Sequence, residues 1–344
     1  MKKSIKVGLL LTAMSLGTVY AEENSGIVAK GKLITQTRYF QINKEDMSKT
    51  KKLSQYNVTL KGTVDINGKI EIHGLVQTGE GYNKGFNSIL NGTKSVTDKD
   101  LAFKRLFLKK QFNDNKLALE LGSYGPRKSI ANSSKLSNTG WIDGGRATVK
   151  TKDGEVTITI GQLDPDEANA FKRMNNFNLK YFEMAVSSKM AKNLLVEAGV
   201  EVFDGKMFLN TATKYQIETM AGDAINIFAD AVVAQGSNGG KFGVGVDNLF
   251  ALVTSNPKIK LSAQYEYTSK GMGRRADITN TIHAGYRGHA AILKASYELD
   301  NGISLFGQAR FTPAANGNRY ILGAKKSFSF GGKTRQEILK ELGQ

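Results

Sequence analysis

The chain has 344 residues, with 48 Lys and Arg against 31 Asp and Glu (net charge +17), 37 Gly, only 4 Pro and no Cys. Mean hydropathy is mildly negative and no internal run reaches the roughly 18 apolar residues of a spanning helix, so a helical membrane protein, a disulfide-stapled secreted domain and a lipoprotein anchor are all excluded. A soluble all-β chain of this size normally divides into sandwich domains with linkers and fully apolar central strands, and neither is present.

Lys2, Lys3 and Lys6 precede the apolar run 7–16, Val19-Tyr20-Ala21 offers a cleavage site, and Glu22-Glu23 follow. Residues 1–21 therefore read as an export signal. Its removal lowers the charge from +17 to +14.

From residue 27 the chain alternates apolar and polar residues almost to its end, the signature of half-buried strands. A first strand covers 27–40, and 43–52 form a charged loop. Tyr56, Val58, Leu60, Val64 and Ile66 oppose Gln55, Asn57, Thr59, Lys61 and Asp65, and Asn67-Gly68 turns the chain into Ile70, Ile72, Gly74 and Val76. Residues 83–99 are a polar loop, 101–112 a strand with blurred faces, 113–115 a turn and 117–121 another strand. A second long loop, 127–140, ends at the single Trp, Trp141. Strands follow at 146–151, 155–160, 177–187, 194–203, 207–217, 224–235, 242–251 and 258–267. A basic loop at 269–276 precedes a strand at 278–287. The clearest hairpin lies at 289–311, where Leu293, Ala295 and Tyr297 alternate with Lys294, Ser296 and Glu298 before Asn301-Gly302. The last strand, 318–330, carries Tyr320, Leu322, Ala324, Phe328 and Phe330 on one face.

Long connections on one side and tight turns on the other predict an all-β, transmembrane, antiparallel up-and-down barrel. The count is about seventeen strands of roughly ten residues, near the length that crosses a bilayer when tilted. Because bacterial barrels have even numbers, sixteen is the expected number, eighteen the alternative, and the miscount falls between residues 177 and 300.

A final strand that alternates to a closing aromatic resembles the outer-membrane porins of Gram-negative bacteria. The match departs at Gly331–Gln344, which continue past Phe330, and at Lys326, which falls in register with the lipid face. The resemblance implies a barrel over residues 22–330, a periplasmic tail at 331–344 with a short helix as its alternative, and lipid and the outer-membrane assembly machinery as partners. Porins of this size often form homotrimers. The resemblance also implies that the third long loop, which in the order 43–52, 83–99, 127–140 is residues 127–140 with Arg127, Lys128 and Lys135, folds inward to narrow the pore.

If apolar faces look outward, the lumen is lined by charges that need water, because unpaired ions in a dry core cost several kcal/mol each. The expected function is a water-filled diffusion channel for small hydrophilic solutes, anionic or neutral, with mild anion preference. The candidate pore-lining bases are Arg127, Lys128, Lys135, Arg146, Lys214, Lys258, Lys260, Arg287, Lys294 and Arg310. Two alternatives stand beside it, a specific channel for sugar, phosphate or uronate and a surface adhesin using loops 83–99 and 164–176. A hydrolase would have to use His73, His283 or His289, none with a recognisable nucleophile motif nearby. No catalytic, cofactor or metal site is expected: the G-x-G at Gly243 and Gly245 has no helix after it. Nucleic acid is set aside because the bases are spread along strands.

Overall fold

The computed structural model describes residues 27–43, 50–79, 81–83, 85–90, 101–112, 115–131, 136–219, 224–252, 258–279, 287–312 and 317–333. Residues 1–21, expected to be an export signal, Lys135, His283 and residues 334–344 of the expected tail lie outside them. Seventeen strands form one antiparallel sheet: β1 (Ile27–Asn43), β2 (Lys51–Ile66), β3 (Ile70–Gln77), β4 (Asn87–Leu90), β5 (Ala102–Phe112), β6 (Leu117–Tyr124), β7 (Ile142–Lys150), β8 (Gly154–Gln162), β9 (Tyr181–Ala191), β10 (Leu194–Phe203), β11 (Lys206–Glu218), β12 (Ala224–Ala234), β13 (Gly240–Asp247), β14 (Ile259–Thr268), β15 (Gly288–Glu298), β16 (Ile303–Phe311) and β17 (Asn318–Gly331). Two short helices lie in connections, α1 (Ala170–Asn175) and α2 (Arg274–Asp277).

Each strand pairs with its neighbour in sequence, and β17 returns to β1 from Lys30↔Gly331 to Asn43↔Asn318, so the sheet is closed. β3 and β4 both pair with β2, the first against its Thr59–Ile66 half and the second against Ser54–Tyr56. They are two segments of one stave interrupted by residues 78–86, and the barrel has sixteen staves. The surplus strand is the one expected at 278–287. β14 pairs directly with β15, from Ile259↔Tyr297 to Thr268↔Gly288, which leaves no room in the sheet for another strand. Met272, Ala276 and Ile278 are buried in a core among the loops, so their apolar spacing serves loop packing and not the wall.

Other boundaries shift for local reasons. β9 starts at Tyr181, with Phe177 and Leu179 exposed in the preceding loop, and β13 stops at Asp247 before a 3₁₀ turn at Leu249–Leu252. The blurred faces of β5 come from a register shift against β3 at Leu75/Val76, where Lys104 is the extra residue. Positive φ at Asn67-Gly68 and Asp204-Gly205 makes the tight hairpin turns that join β2 to β3 and β10 to β11. The two turns lie at opposite ends of the barrel, so the second is a short connection on the side that otherwise carries the long loops.

The outer wall is apolar, with Leu119, Leu121, Ile158, Ile160, Leu293, Leu305 and Leu322 all exposed. Aromatic side chains flank this band, Tyr39, Phe242, Tyr265, Tyr267, Phe311 and Tyr320 toward the long loops and Tyr215, Tyr297, Phe328 and Phe330 toward the turns. Along β17 the two girdles are eight residues apart, roughly 27 Å at about 3.4 Å per residue, which with tilt matches a bilayer's apolar thickness. Lys326 does face this wall, at the turn-side girdle, with its ammonium 5.3 Å from the Phe328 ring centre.

Candidate functional site: the lumen of the barrel

Strand alternation puts the complementary set inside. Asn57, Thr59, Arg146, Thr157, Thr159, Glu183, Glu197, Glu201, Asp230, Lys241 and Glu266 are all buried from bulk solvent on the inner face. The described parts of three connections fold into the loop end of the barrel and meet there: residues 78–79, 81–83 and 85–86; 125–131 and 136–141; and 269–279. Thr139 donates to the Tyr82 carbonyl at 2.7 Å, Ser137 N–H to the Ile278 carbonyl at 2.9 Å, and Leu136 forms a β-bridge with Thr279. Arg105 on β5 donates to the carbonyls of Asn138 (2.6 Å) and Gly140 (2.9 Å), tying the end of the second connection to the wall. Tyr82, Tyr124, Leu136, Trp141, Phe203, Phe208, Val232, Met272 and Ile278 make a dry core there, so this part of the lumen is filled. Burial holds the Tyr82 hydroxyl well above its ordinary pKa, and it stays neutral.

The inward loops are pinned to one wall by ion pairs. Arg127 donates to both carboxylate oxygens of Glu197 at 2.8 Å and to Glu183 at 3.3 Å. Burial alone would pull its guanidinium down, but the hydrogen bond to Glu197 and the charges of Glu183 and Glu197 outweigh that and hold its pKa above the ordinary value. Arg275 on α2 makes the same fork with Glu201, at 2.6 and 2.9 Å. Lys241 pairs with Glu266 at 3.0 Å. Ile130 and Ala131 pack on Ala212 and Phe228, closing the contact between this loop and β11–β12.

The opposite wall is different. Lys32 and Lys61 are direct cross-strand partners on the inner face, and so are Arg310 and Arg319. Among the described residues no carboxylate lies within ion-pair distance of Lys61, Arg38 or Arg319 on this wall, nor of Lys214 on β11 or Lys294 on β15. Between the walls lie two cavities of ≈ 580 Å³ each, which meet at Asn226 and Asp247. One is lined by Lys260, Lys294, Ser262 and Gln308, the other by Lys61, Arg105, Lys128 and Lys214.

The expected pore bases therefore divide. Lys128, Lys214, Lys260 and Lys294 line the cavities, and Arg310 faces the lumen beside them with a hydrogen bond to Gln308 at 2.9 Å. Arg127 is committed to Glu183 and Glu197, Arg146 to Glu120 at 3.0 Å, and Arg287 to Asp277 at 3.0 Å. Lys258 pairs with Asp300 at the turn end, away from both cavities. Lys135 lies outside the described residues. The sequence reading left out Arg38, Arg105 and Arg319. Alternation places Arg38 and Arg319 inward on β1 and β17, whereas the extra residue Lys104 obscures the register of Arg105 on β5.

Of the histidines, His73 faces the lumen, stacked on Phe107 at 4.6 Å with Thr63 Oγ1 at 3.1 Å and Glu71 at 2.9 Å. Glu71 also accepts from Lys109 at 3.2 Å, which completes an ion-paired network. His289 lies on the outer wall against Tyr265 and Tyr267.

No family model and no curated protein matches the sequence. Solved structures match over nearly the whole chain. The high-pH structure of Pseudomonas putida OprB aligns with a TM-score of 0.60 at 12% identity, covering 92% of this chain and 97% of that one. A triple mutant of Rhodopseudomonas blastica porin aligns at 0.53 with 11% identity, covering 88% and 100%. Acinetobacter baumannii OccAB4 aligns at 0.54 with 9% identity, covering 88% and 98%. At these identities the likeness is one of fold, and the chain is a porin-like, closed, sixteen-stranded β-barrel.

Proposed function

We propose that the chain is an outer-membrane porin: a water-filled channel that lets small hydrophilic solutes cross by diffusion and prefers anions. The observation that carries this reading is the division of the closed barrel into an apolar, aromatic-girdled exterior and an ionic interior holding two joined cavities of ≈ 580 Å³. Charged groups at this density need water around them, and a closed barrel has no edge strands to expose to hydrocarbon.

Anion preference follows from which charges remain available, with Asp247 the one carboxylate among the described residues on the two cavity linings. Glu183, Glu197, Glu201 and Glu266 each have an Arg or Lys partner, whereas Lys61, Lys128, Lys214, Lys260 and Lys294 border the cavities. Basic side chains lower the energy of an anion in the narrow part of a channel. Reversal potentials measured across a planar bilayer under a KCl gradient test this: a chloride-selective sign is expected, and a potassium-selective sign discards the anion preference. Failure of the purified protein to conduct discards the channel.

A further inference from the structure

We propose that the connection between β8 and β9, residues 163–180, folds outward over the wall and seats in the interfacial layer of the lipid leaflet at the long-loop end of the barrel. The proposal rests on the membrane reading of the wall and goes beyond it, because it assigns a long connection to lipid instead of to water.

The wall over β6, β7 and β8 changes character partway along the strands. Register places Leu121, Gly145 and Ile160 side by side, and Leu121 and Ile160 are exposed on the apolar exterior. Two residues further toward the loops, on the same face, come Ser123, Asp143 and Gln162. Asp143 is six residues from Val149 at the turn end of β7, roughly 20 Å at about 3.4 Å per residue and so inside the band of roughly 27 Å along β17. An uncovered carboxylate is costly in hydrocarbon.

The connection covers it. Arg173 on α1 donates to both oxygens of Asp143 (2.8 and 3.1 Å), to Ser123 Oγ at 2.7 Å and to the Lys104 carbonyl at 2.9 Å. Gln162 donates to Asp143 at 3.3 Å and to the Arg173 carbonyl at 2.8 Å, and it accepts from the Asn178 N–H at 2.7 Å. The Lys180 N–H donates to the Gly161 carbonyl at 3.0 Å, so the segment is hydrogen-bonded to the wall from α1 to the start of β9. Arg173 and Asp143 are each only 1% exposed.

What the segment turns away from the wall is largely apolar. Phe171, Phe177 and Leu179 are 44, 51 and 60% exposed. Phe171 stacks on Phe103 of β5 at 5.3 Å, and Phe103 packs against Leu60 and Val76, its companions on the outer face. The apolar exterior therefore continues from the strands onto the connection. A segment in water buries its large apolar side chains and shows its charges. Here an ion pair is the buried part and aromatic and aliphatic side chains are outermost. Lys172 and Lys180 are exposed beside them, with stems long enough to carry the ammonium groups to lipid headgroups. Phe, Leu and Lys together on one exposed face are the composition of an interfacial segment. Residues 164–176, which an adhesin would present to the medium, are on this reading turned to lipid.

The chain has no Cys, so single cysteines can be spin-labelled without background. Phe177→Cys and Leu179→Cys report the segment, Leu293→Cys the outer wall and Lys192→Cys the water at the turn end. Each full-length barrel is placed in phosphatidylcholine vesicles, and collision of the label with bilayer-soluble oxygen is compared with collision with a water-soluble nickel chelate. Retention of heat-modifiable mobility on gels identifies folded variants. Labels at 177 and 179 should favour oxygen, as the label at 293 does, and the label at 192 should favour nickel. Nickel preference at 177 and 179 with oxygen preference at 293 overturns the proposal and leaves the membrane reading standing. Nickel preference at 293 overturns the membrane reading and the proposal with it. Labels at 177 and 179 shielded from both reagents place a second copy of the chain over the segment, which overturns the lipid assignment. Arg173→Gln with Asp143→Asn removes the ion pair without leaving either charge alone. The label at 179 should then gain mobility, and unchanged mobility overturns the role of the pair in holding the segment.

Discussion

The two sides of the lumen handle charge in opposite ways. Along β9, β10, β13 and β14 each of Glu183, Glu197, Glu201 and Glu266 meets a Lys or Arg, and two of these cations, Arg127 and Arg275, come from inward loops. Along β1, β2, β16 and β17 bases face bases, Lys32 against Lys61 and Arg310 against Arg319. The first wall uses charge to hold loops in place. The second sets base against base across neighbouring strands. The same residue types thus do structural work on one side and supply the lumen's field on the other, and the difference lies in whether a carboxylate stands opposite.

Breaking the paired side should have the largest effect. Glu201→Gln leaves Arg275 buried without its counter-charge, and removing one partner of a buried pair costs about 3–5 kcal/mol. A clear fall in the thermal midpoint of the folded barrel is expected, and an unchanged midpoint would mean that the pair does not anchor the loop. Arg127→Gln should destabilise in the same way and also return two carboxylates to the lumen, so the reversal potential should move toward cation preference. A shift toward stronger chloride preference would contradict the division of labour.

Changes on the side where base faces base should read out in selectivity and hardly in stability. Lys61→Gln removes a like-charge cross-strand pair worth roughly 0.2–1 kcal/mol, so the midpoint should hold or rise slightly while chloride preference weakens. A stability loss comparable to Glu201→Gln would erase the contrast. The smallest effect is expected at Lys258→Ala. Its partner Asp300 is exposed, and such pairs contribute about 0–1 kcal/mol, so neither midpoint nor reversal potential should change measurably.

Alternation made the wall legible in the sequence. The inward placement of Lys214, Lys260, Lys294 and Arg310 follows from a period of two; the even-number rule flagged the odd count, and the tight turns at Asp204-Gly205 and Asn301-Gly302 placed the miscount between residues 177 and 300. The segment 278–287 misled because Ile278 and its apolar neighbours pack in a loop core, and spacing alone cannot tell a lipid face from a loop interior. The commitment of Arg127, Arg146 and Arg287 to carboxylates was not legible either. Glu197 is 70 positions from Arg127, and Arg146 meets Glu120 only because their strands are adjacent in register. Arg38 lies on β1 beside β17, a neighbourhood that a closed up-and-down barrel implies but that alternation along a single strand does not display.

That closure also bears on biogenesis. The seam joins the first and last strands of the described chain over an uninterrupted run from Lys30↔Gly331 to Asn43↔Asn318. A nascent polypeptide released before its final segment emerges would present two unzipped margins to hydrocarbon, where orphan amides are prohibitively costly. Closure of the sheet therefore waits on the terminal stave, and the β1–β17 pairing comes into being only at that last step.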